Sequence, residues 1–354
     1  MALKIEHVSK RLGAFSLRDV NLEIAEGEYF VLLGPTGAGK TVLLEVLMGF
    51  HRPDKGEMLS NDQDITNVPI EKRGIAYVPQ NCLLFPHMSV FENIEFGLKM
   101  RRVAQPERKK AVDRMLGLMG LRGMADRMPS TLSGGEKQKV VLARVLVTKP
   151  KVVLLDEPLT AIDAETSRAL QGELKRINRE LKVAFLHVTH DQIEALSLAD
   201  RIAVMIQGEI VQSGTPNEVL SNPANELVAR FLGYTNVLRV EFVKYESGVS
   251  EVSTDHVSIR LNAKLNNRAA TIVIHPEDIV LMTETPNSPE EWNLFEGRVE
   301  ESTNLGPIVE VTVDIGILLK VFLDKRSFLE MKLLRGRHIY VAFKINSVKI
   351  VSMS

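Results

Sequence analysis

Cysteine, tryptophan and aromatic residues in general are what this chain of 354 residues has least of: one Cys, one Trp and 5% aromatics. A single thiol, Cys82, excludes a disulfide framework and suits a reducing compartment. Cys82 also lacks a paired ligand at metal-binding spacing, so it reads as a small buried hydrophobe. An excess of either charge is missing as well. The 44 basic and 45 acidic residues leave a net charge of −1, which gives no reason to expect a nucleic-acid partner. No apolar run reaches the roughly 18 residues of a membrane-spanning helix. The start, MALKIEHVSKRLG, has charges where a signal peptide has its apolar core. The expectation is a cytoplasmic protein whose membrane role, where it has one, comes through a partner.

What is present is ordinary in bulk and patterned in detail. Hydrophobic residues at 45% and charged residues at 25% are the balance of a soluble globular chain, and the length suggests two domains rather than one. Up to residue 232, short apolar strands alternate with helical patterns, as in EYFVLLG (28–34), TVLLEVLMGF, KVVLLDEP and KVAFLHVTH. Continuous apolar strands of this kind predict a parallel sheet covered on both faces. Between residues 81 and 145 the pattern is mostly helical, which predicts a subdomain inserted into the sheet. The basic run KMRRVAQPERKK (99–110) reads as a solvated helical face. After ARFLGYTN (229–236) the chain becomes short-stranded and β-rich, the texture of a small barrel or sandwich. The boundary is placed near Gly233, giving domains 1–232 and 233–354.

GPTGAGKT (34–41) matches G-x-x-x-x-G-K-[ST] between an apolar strand and a helical run, the context this motif requires. Gly34, Pro35, Thr36, Gly37, Ala38 and Gly39 form a loop whose backbone N–H groups can curl around phosphate. Lys40 supplies a point charge for the β- and γ-phosphates, and Thr41 a hydroxyl for Mg²⁺. VVLLDEP puts Asp156 and Glu157 at the carboxyl end of a buried strand, where open α/β sheets bind ligands. Asp156 can hold Mg²⁺ through water, while Glu157 points elsewhere and can polarise an attacking water. His190, ending FLHVTHD, can bond the γ-phosphate or that water, whereas His187 inside the strand reads as structural. Gln80 of YVPQN is a neutral group at a strand end, suited to sensing Mg²⁺ or water.

One further stretch, TLSGGEKQKVVLARVLV (131–147), has Ser133 followed three residues later by Glu136, a capping box that starts a helix. A helix start is also a natural anion site. The stretch by itself leaves open whether it is a turn or half of a binding site.

Phosphate loop, Gln80, LSGG, LLDEP, LTAID and His190 follow in an order and at intervals that resemble the ATPase subunit of ABC transporters, over residues 3–232. The resemblance implies an α/β P-loop fold with antiparallel β and helical subdomains, and ATP and Mg²⁺ as ligands. It implies catalytic roles for Glu157, His190 and Gln80, with Thr41, Gln80 and Asp156 at the metal. It further implies a head-to-tail pair of identical subunits. Ser133, Gly134 and Gly135 of one copy cap the γ-phosphate held by the loop of the other, and Asp163 of LTAID lies across the seam. Such a pair is isologous, so one sequence builds both composite sites. QNCLLFPHMSVFENIEFGL (80–98) resembles the importer branch, which implies integral membrane permease subunits as partners and, indirectly, a solute-binding protein. The chain would then sit peripherally on the inner face of the cell membrane.

Three positions depart from the family pattern. Glu136 stands where the signature commonly has glutamine, and a carboxylate is unfavourable close to a triphosphate. Glu136 is therefore expected to turn back to the N-cap as the third helical residue of the capping box. KRLGAF places Leu12 where the family stacks adenine on an aromatic ring, with Phe15 three residues later. Either Phe15 substitutes or the base rests on an aliphatic platform. TAID replaces SALD and keeps the aspartate.

Residues 293–354 resemble the molybdopterin-binding-type domain, a small OB-like β-barrel that binds molybdate or tungstate, through GRV, IVEVTVDIG, the serine of LDKRSFLEM and FKINSVKI. ATPase and tail together resemble the ATPase subunit of molybdate or tungstate importers, in which bound oxyanion holds transport off. Ser327, Lys344 and Ser347 are the residue types a tetrahedral oxyanion needs. They are equally the surface residues of a barrel that only supports dimerisation. Of the family's polar opening only Asn293 is kept. Asp324 replaces a usual threonine, and its carboxylate would repel an oxyanion if it faced the pocket. Alternatives within the fold import sulfate, sugars, polyamines or iron. A soluble ABC ATPase outside transport would usually carry coiled-coil insertions or two cassettes, and neither is seen in the sequence.

Overall fold

In the computed structural model, which describes residues 1–81, 83–160, 163–254, 256–265, 268–284 and 291–353, the apolar runs of the first half become strands of one six-stranded sheet. Its order is Glu209–Gly214, Arg201–Ile206, Tyr29–Leu33, Ala184–Thr189, Val152–Asp156, Ile75–Val78. All neighbours are parallel except the pair formed by Glu209–Gly214 and Arg201–Ile206. Every residue of Tyr29–Leu33, Val152–Asp156 and Ala184–Thr189 is buried, which is why these segments are unbroken apolar runs rather than alternating ones. Parallel strands release their following loops at one edge, so the loops after Leu33, Val78, Asp156 and Thr189 emerge side by side.

An antiparallel sheet of four strands, ordered Phe15–Ile24, Leu3–Leu12, Lys55–Ser60, Gln63–Asp64, covers the helix Lys40–Met48. Ile5, Val20, Leu44 and Leu47 share one buried cluster with Leu32 and Leu186 of the parallel sheet. The expected helical insertion is built from Val90–Met100, Gln105–Leu118 and Gly134–Leu146. Cys82, read above as a buried hydrophobe, lies outside the described residues, as do Ala161 and Ile162 of LTAID.

The chain divides into two compact units, Met1–Val219 and Leu220–Ser354. The change of texture at Gly233 falls inside the second of them. Helix Glu226–Phe231 packs on the strands Ala269–Ile274 and Lys349–Met353, and the Tyr234 hydroxyl donates to the Leu220 carbonyl at 3.1 Å.

The second unit is all-β apart from short helical turns. One antiparallel sheet is ordered Ser258–Leu261, Val249–Ser253, Asn236–Glu246, Ala269–Ile274, Lys349–Met353. The other is ordered Ile279–Met282, His338–Lys344, Trp292–Asn304, Ile308–Asp314, Leu318–Asp324. Both contribute to one core, with Val240 and Ile272 from the first and Val311, Val321 and Phe343 from the second. Two buried asparagines stitch the sheets together. Asn236 accepts from Lys320 N at 2.7 Å and donates to Lys320 O at 2.9 Å. Asn293, the one residue kept from the family's polar opening, accepts from Arg260 N at 2.7 Å and donates to Arg260 O at 2.8 Å. A buried amide must find both kinds of partner, and each here finds them on a single facing backbone.

Candidate active site

After Leu33 the chain turns through the glycine-rich loop into helix Lys40–Met48. Gly37 and Gly39 have φ of 81° and 105°, values that side chains resist. A Cβ on Gly39 would stand 2.4 Å from Phe15 Cζ, and one on Gly34 would stand 2.3 Å from the Met205 carbonyl oxygen. Gly39 is the N-cap, and no side chain caps this helix start, so its first N–H groups are left for a ligand. Lys40 is buried and turns its ammonium onto the carbonyls of Gly34 at 2.6 Å and Pro35 at 3.0 Å. Burial lowers its pKa, against the opposing pull of Glu157 and Asp156. Residues 36–42 line a cavity of about 290 Å³ together with Phe15 and Glu157. Phe15 stands in that wall, whereas Leu12, its partner across the hairpin, does not. Glycine cradle, open helix start and inward ammonium fit a nucleotide polyphosphate.

The two carboxylates at the end of Val152–Asp156 face different partners. Asp156 is buried and accepts the Tyr77 hydroxyl at 3.0 Å, a contact the sequence reading missed. Burial raises the Asp156 pKa, opposed by Tyr77 and Lys40 and aided by Glu157. Burial also pushes the Tyr77 phenol far above its usual range, so it remains a donor. Glu157 has a backbone φ of 45°, in the left-handed region. Its Oε1 lies 3.2 Å from His190 Nδ1, and its Oε2 accepts from Gln80 Nε2 at 3.3 Å and from Thr160 Oγ1 at 3.2 Å. Gln80, His190 and Glu157, far apart in the chain, therefore meet at one carboxylate. A carboxylate so oriented at the mouth of a phosphate cavity is placed to take a proton from water.

Thr41 is exposed at the start of its helix, at the same edge of the sheet as Asp156 and Gln80. Among the described residues no three His, Cys, Asp or Glu side chains gather as a self-sufficient metal cage. One carboxylate with a hydroxyl and an amide suits Mg²⁺, which keeps several waters and shares phosphate oxygens. His187 is fully buried, with Nδ1 3.0 Å from the Tyr29 hydroxyl and Nε2 3.3 Å from Glu194, a structural setting.

At the start of Gly134–Leu146 the capping box forms in full. The Ser133 side chain accepts from Glu136 N at 3.3 Å, and Glu136 Oε2 accepts from Ser133 N at 2.8 Å. Those bonds hold the Glu136 carboxyl below its usual pKa. Ser133 and Gly134 are exposed, and neither they nor Gly135 line the phosphate cavity of their own chain. A Cβ on Gly135 would meet Thr166 Cγ2 at 2.7 Å. Thr166 belongs to the first turn of Ala164–Leu181, whose N-cap is the exposed Asp163, accepting from Thr166 N at 2.9 Å. Because Glu136 faces its own N-cap, Glu136→Gln should leave the ATP hydrolysis rate within about threefold of wild type, since an amide keeps the capping box at a cost of under about 1 kcal/mol. Steady-state hydrolysis checks this, and a tenfold change would place the carboxylate at the nucleotide instead.

In the second unit the three oxyanion candidates divide between two places, Ser327 on one short helix and Lys344 with Ser347 at one turn. Ser327 lies in the helix Lys325–Glu330 and gives both its N–H (2.9 Å) and its hydroxyl (2.6 Å) to Asp324, the N-cap. Lys344 sits over the Trp292 ring, 5.5 Å from its centroid. Ser347 ends the short turn Ile345–Ser347.

The ABC transporter family model matches residues 17–160, and the TOBE domain model matches residues 290–350. The molybdate/tungstate import ATP-binding protein WtpC of Pyrococcus abyssi is 42% identical over 352 residues, 98% of this chain and 99% of that protein. The spermidine/putrescine import ATP-binding protein PotA of Thermotoga maritima is 40% identical over 328 residues, 90% of this chain and 89% of that protein. Among solved structures, the ATP-binding cassette MJ0796, in a dimeric post-hydrolysis state bound to ADP and Pi, aligns with a TM-score of 0.53 and 29% identity, covering 60% of this chain and 98% of its own. With the phosphate cradle, the paired carboxylates and the capped LSGG helix in place, the chain belongs to the family of ATP-hydrolysing, ATP-binding subunits of ABC transporters.

Proposed function

We propose that this chain energises the import of molybdate or tungstate, through ATP-driven head-to-tail pairing of two copies bound to membrane permease subunits. The observation that carries the cargo is similarity along nearly the whole chain, tail included, to a protein whose name states it. A polyamine is the second reading, favoured by a relative that matches over a shorter stretch.

In this reading the loop 34–41 and the uncapped start of Lys40–Met48 bind the phosphates of ATP, and Phe15 supports the adenine. Thr41, Gln80 and Asp156 hold Mg²⁺, which when bound neutralises phosphate charge. Glu157, oriented by Gln80 and Thr160, takes the proton of the attacking water, and His190 steadies the other carboxylate oxygen. Ser133, Gly134 and Gly135 offer their exposed helix start to the ATP of the second copy, flanked by Asp163. The permease meets the exposed Leu83 and the ring pair Phe85–Phe96, which Arg144 supports by lying 5.1 Å over Phe85 and donating to Leu83 O at 2.8 Å. The chain works at the cytoplasmic face of the membrane, with a solute-binding protein delivering cargo from outside. Oxyanion feedback through Ser327, Lys344 and Ser347 requires the Ser327 hydroxyl to leave Asp324.

The test is uptake by proteoliposomes holding the chain with its co-purified permease and solute-binding protein. ATP-dependent accumulation of molybdate and tungstate, with none of spermidine, is expected. Accumulation of spermidine alone would replace the cargo and leave the ATPase assignment standing.

A further inference from the structure

A second cavity, of about 660 Å³, lies at the opposite edge of the six-stranded sheet from the phosphate loop. Its walls come from segments that lead into the strands rather than out of them. Gly27 precedes Tyr29–Leu33, Pro150 precedes Val152–Asp156, and Val183 precedes Ala184–Thr189. The facing wall is the helix Gln105–Leu118. The floor is apolar and buried, with Ala2, Met115, Leu146 and Val147.

The rim is cationic. Lys110, Arg114, Lys149, Lys151 and Lys182 stand there against Glu26 and Glu107. Among the described residues the side chains of Lys110, Arg114, Lys149 and Lys182 form no ion pair or hydrogen bond. Some cations elsewhere in the same unit are paired, as Lys175 is with Asp200 at 2.8 Å and Arg108 with Glu95 at 2.7 Å, and what sets these four apart is their convergence. The unpaired four come from three separate stretches of chain and converge on one concavity, so they are not merely the solvated face of a helix.

We infer that this cavity binds a small organic anion with an apolar body, its ring or chain on the floor and its acid group among the four cations. The volume lies within the roughly 300–1,000 Å³ of small-molecule sites. An inorganic anion would leave the floor uncovered, and a neutral apolar molecule would leave the cations unmatched. The site is independent of the transport cargo and of the ATP chemistry, from which the depth of the sheet separates it.

The full chain is titrated with 8-anilinonaphthalene-1-sulfonate, a ring system carrying one acid group, and fluorescence is followed with and without saturating MgADP. Saturable binding that MgADP does not displace is expected. Arg114→Glu and Lys182→Glu should each weaken it by about tenfold through like-charge repulsion, with ATP hydrolysis unchanged as a check on folding. Ala111→Trp, which fills the cavity from its helical wall, should abolish it. Displacement by MgADP, equal affinity in the charge-reversed variants, or no saturable binding would overturn the inference.

Discussion

Glu157→Gln should slow ATP hydrolysis by about 10²- to 10⁴-fold, the usual worth of a general base, while ATP still binds. The amide keeps the size of the side chain and one acceptor oxygen for Gln80 or Thr160, but it cannot take a proton from water. It also removes a negative charge from the neighbourhood of Lys40, which favours a bound polyphosphate. Single-turnover hydrolysis and equilibrium nucleotide binding, measured on the same preparation, separate the two effects. Binding that collapses together with hydrolysis would show that Glu157 shapes the site rather than acting in the reaction.

Lys40→Ala should fail at the earlier step. Removing one partner of a buried charged contact costs about 3 kcal/mol, which is roughly a hundredfold in ATP affinity. Without nucleotide the ammonium is held by the carbonyls of Gly34 and Pro35, both neutral acceptors. Its loss should therefore cost the empty protein less, about 1 kcal/mol per hydrogen bond. Calorimetric titration with ATP and thermal unfolding without it give the two numbers. Affinity within a few-fold of wild type would mean that the backbone cradle alone holds the phosphates.

The sequence carried the parts of this site that are local. A strand, a glycine loop and a helix lie within residues 29–48, and the capping box within 133–136, so their physics is complete over a few residues. The alternation of apolar runs with helical patterns likewise declared a covered parallel sheet. What sequence alone left open was set by neighbours distant in the chain. Gln80 reaches Glu157 only because Ile75–Val78 and Val152–Asp156 are adjacent strands, and His190 reaches it because Ala184–Thr189 lies on the other side. The contact of Tyr77 with Asp156 is hidden for the same reason, since nothing in IAYV says which strand will lie beside it. Phe15 rather than Leu12 lines the phosphate cavity because the antiparallel sheet lays its ring against Gly39, the N-cap of a helix outside that hairpin. Asp324 is different, because its signal is local. An aspartate three residues before Ser327 at the head of LDKRSFLEM is an N-cap, and its carboxylate is used by its own helix.

The left-handed backbone at Glu157 sets a trap for anyone selecting heat-resistant versions of this protein. A glutamate pays about 1 kcal/mol or more to sit there, whereas glycine has no Cβ to clash and asparagine pays less because its short side chain bonds the local backbone. Selection on melting temperature alone should therefore enrich Glu157→Gly and Glu157→Asn. With Glu157 as the proposed base, the survivors would be sturdier proteins that still bind nucleotide and no longer turn it over, and stability and turnover would then oppose each other at a single codon.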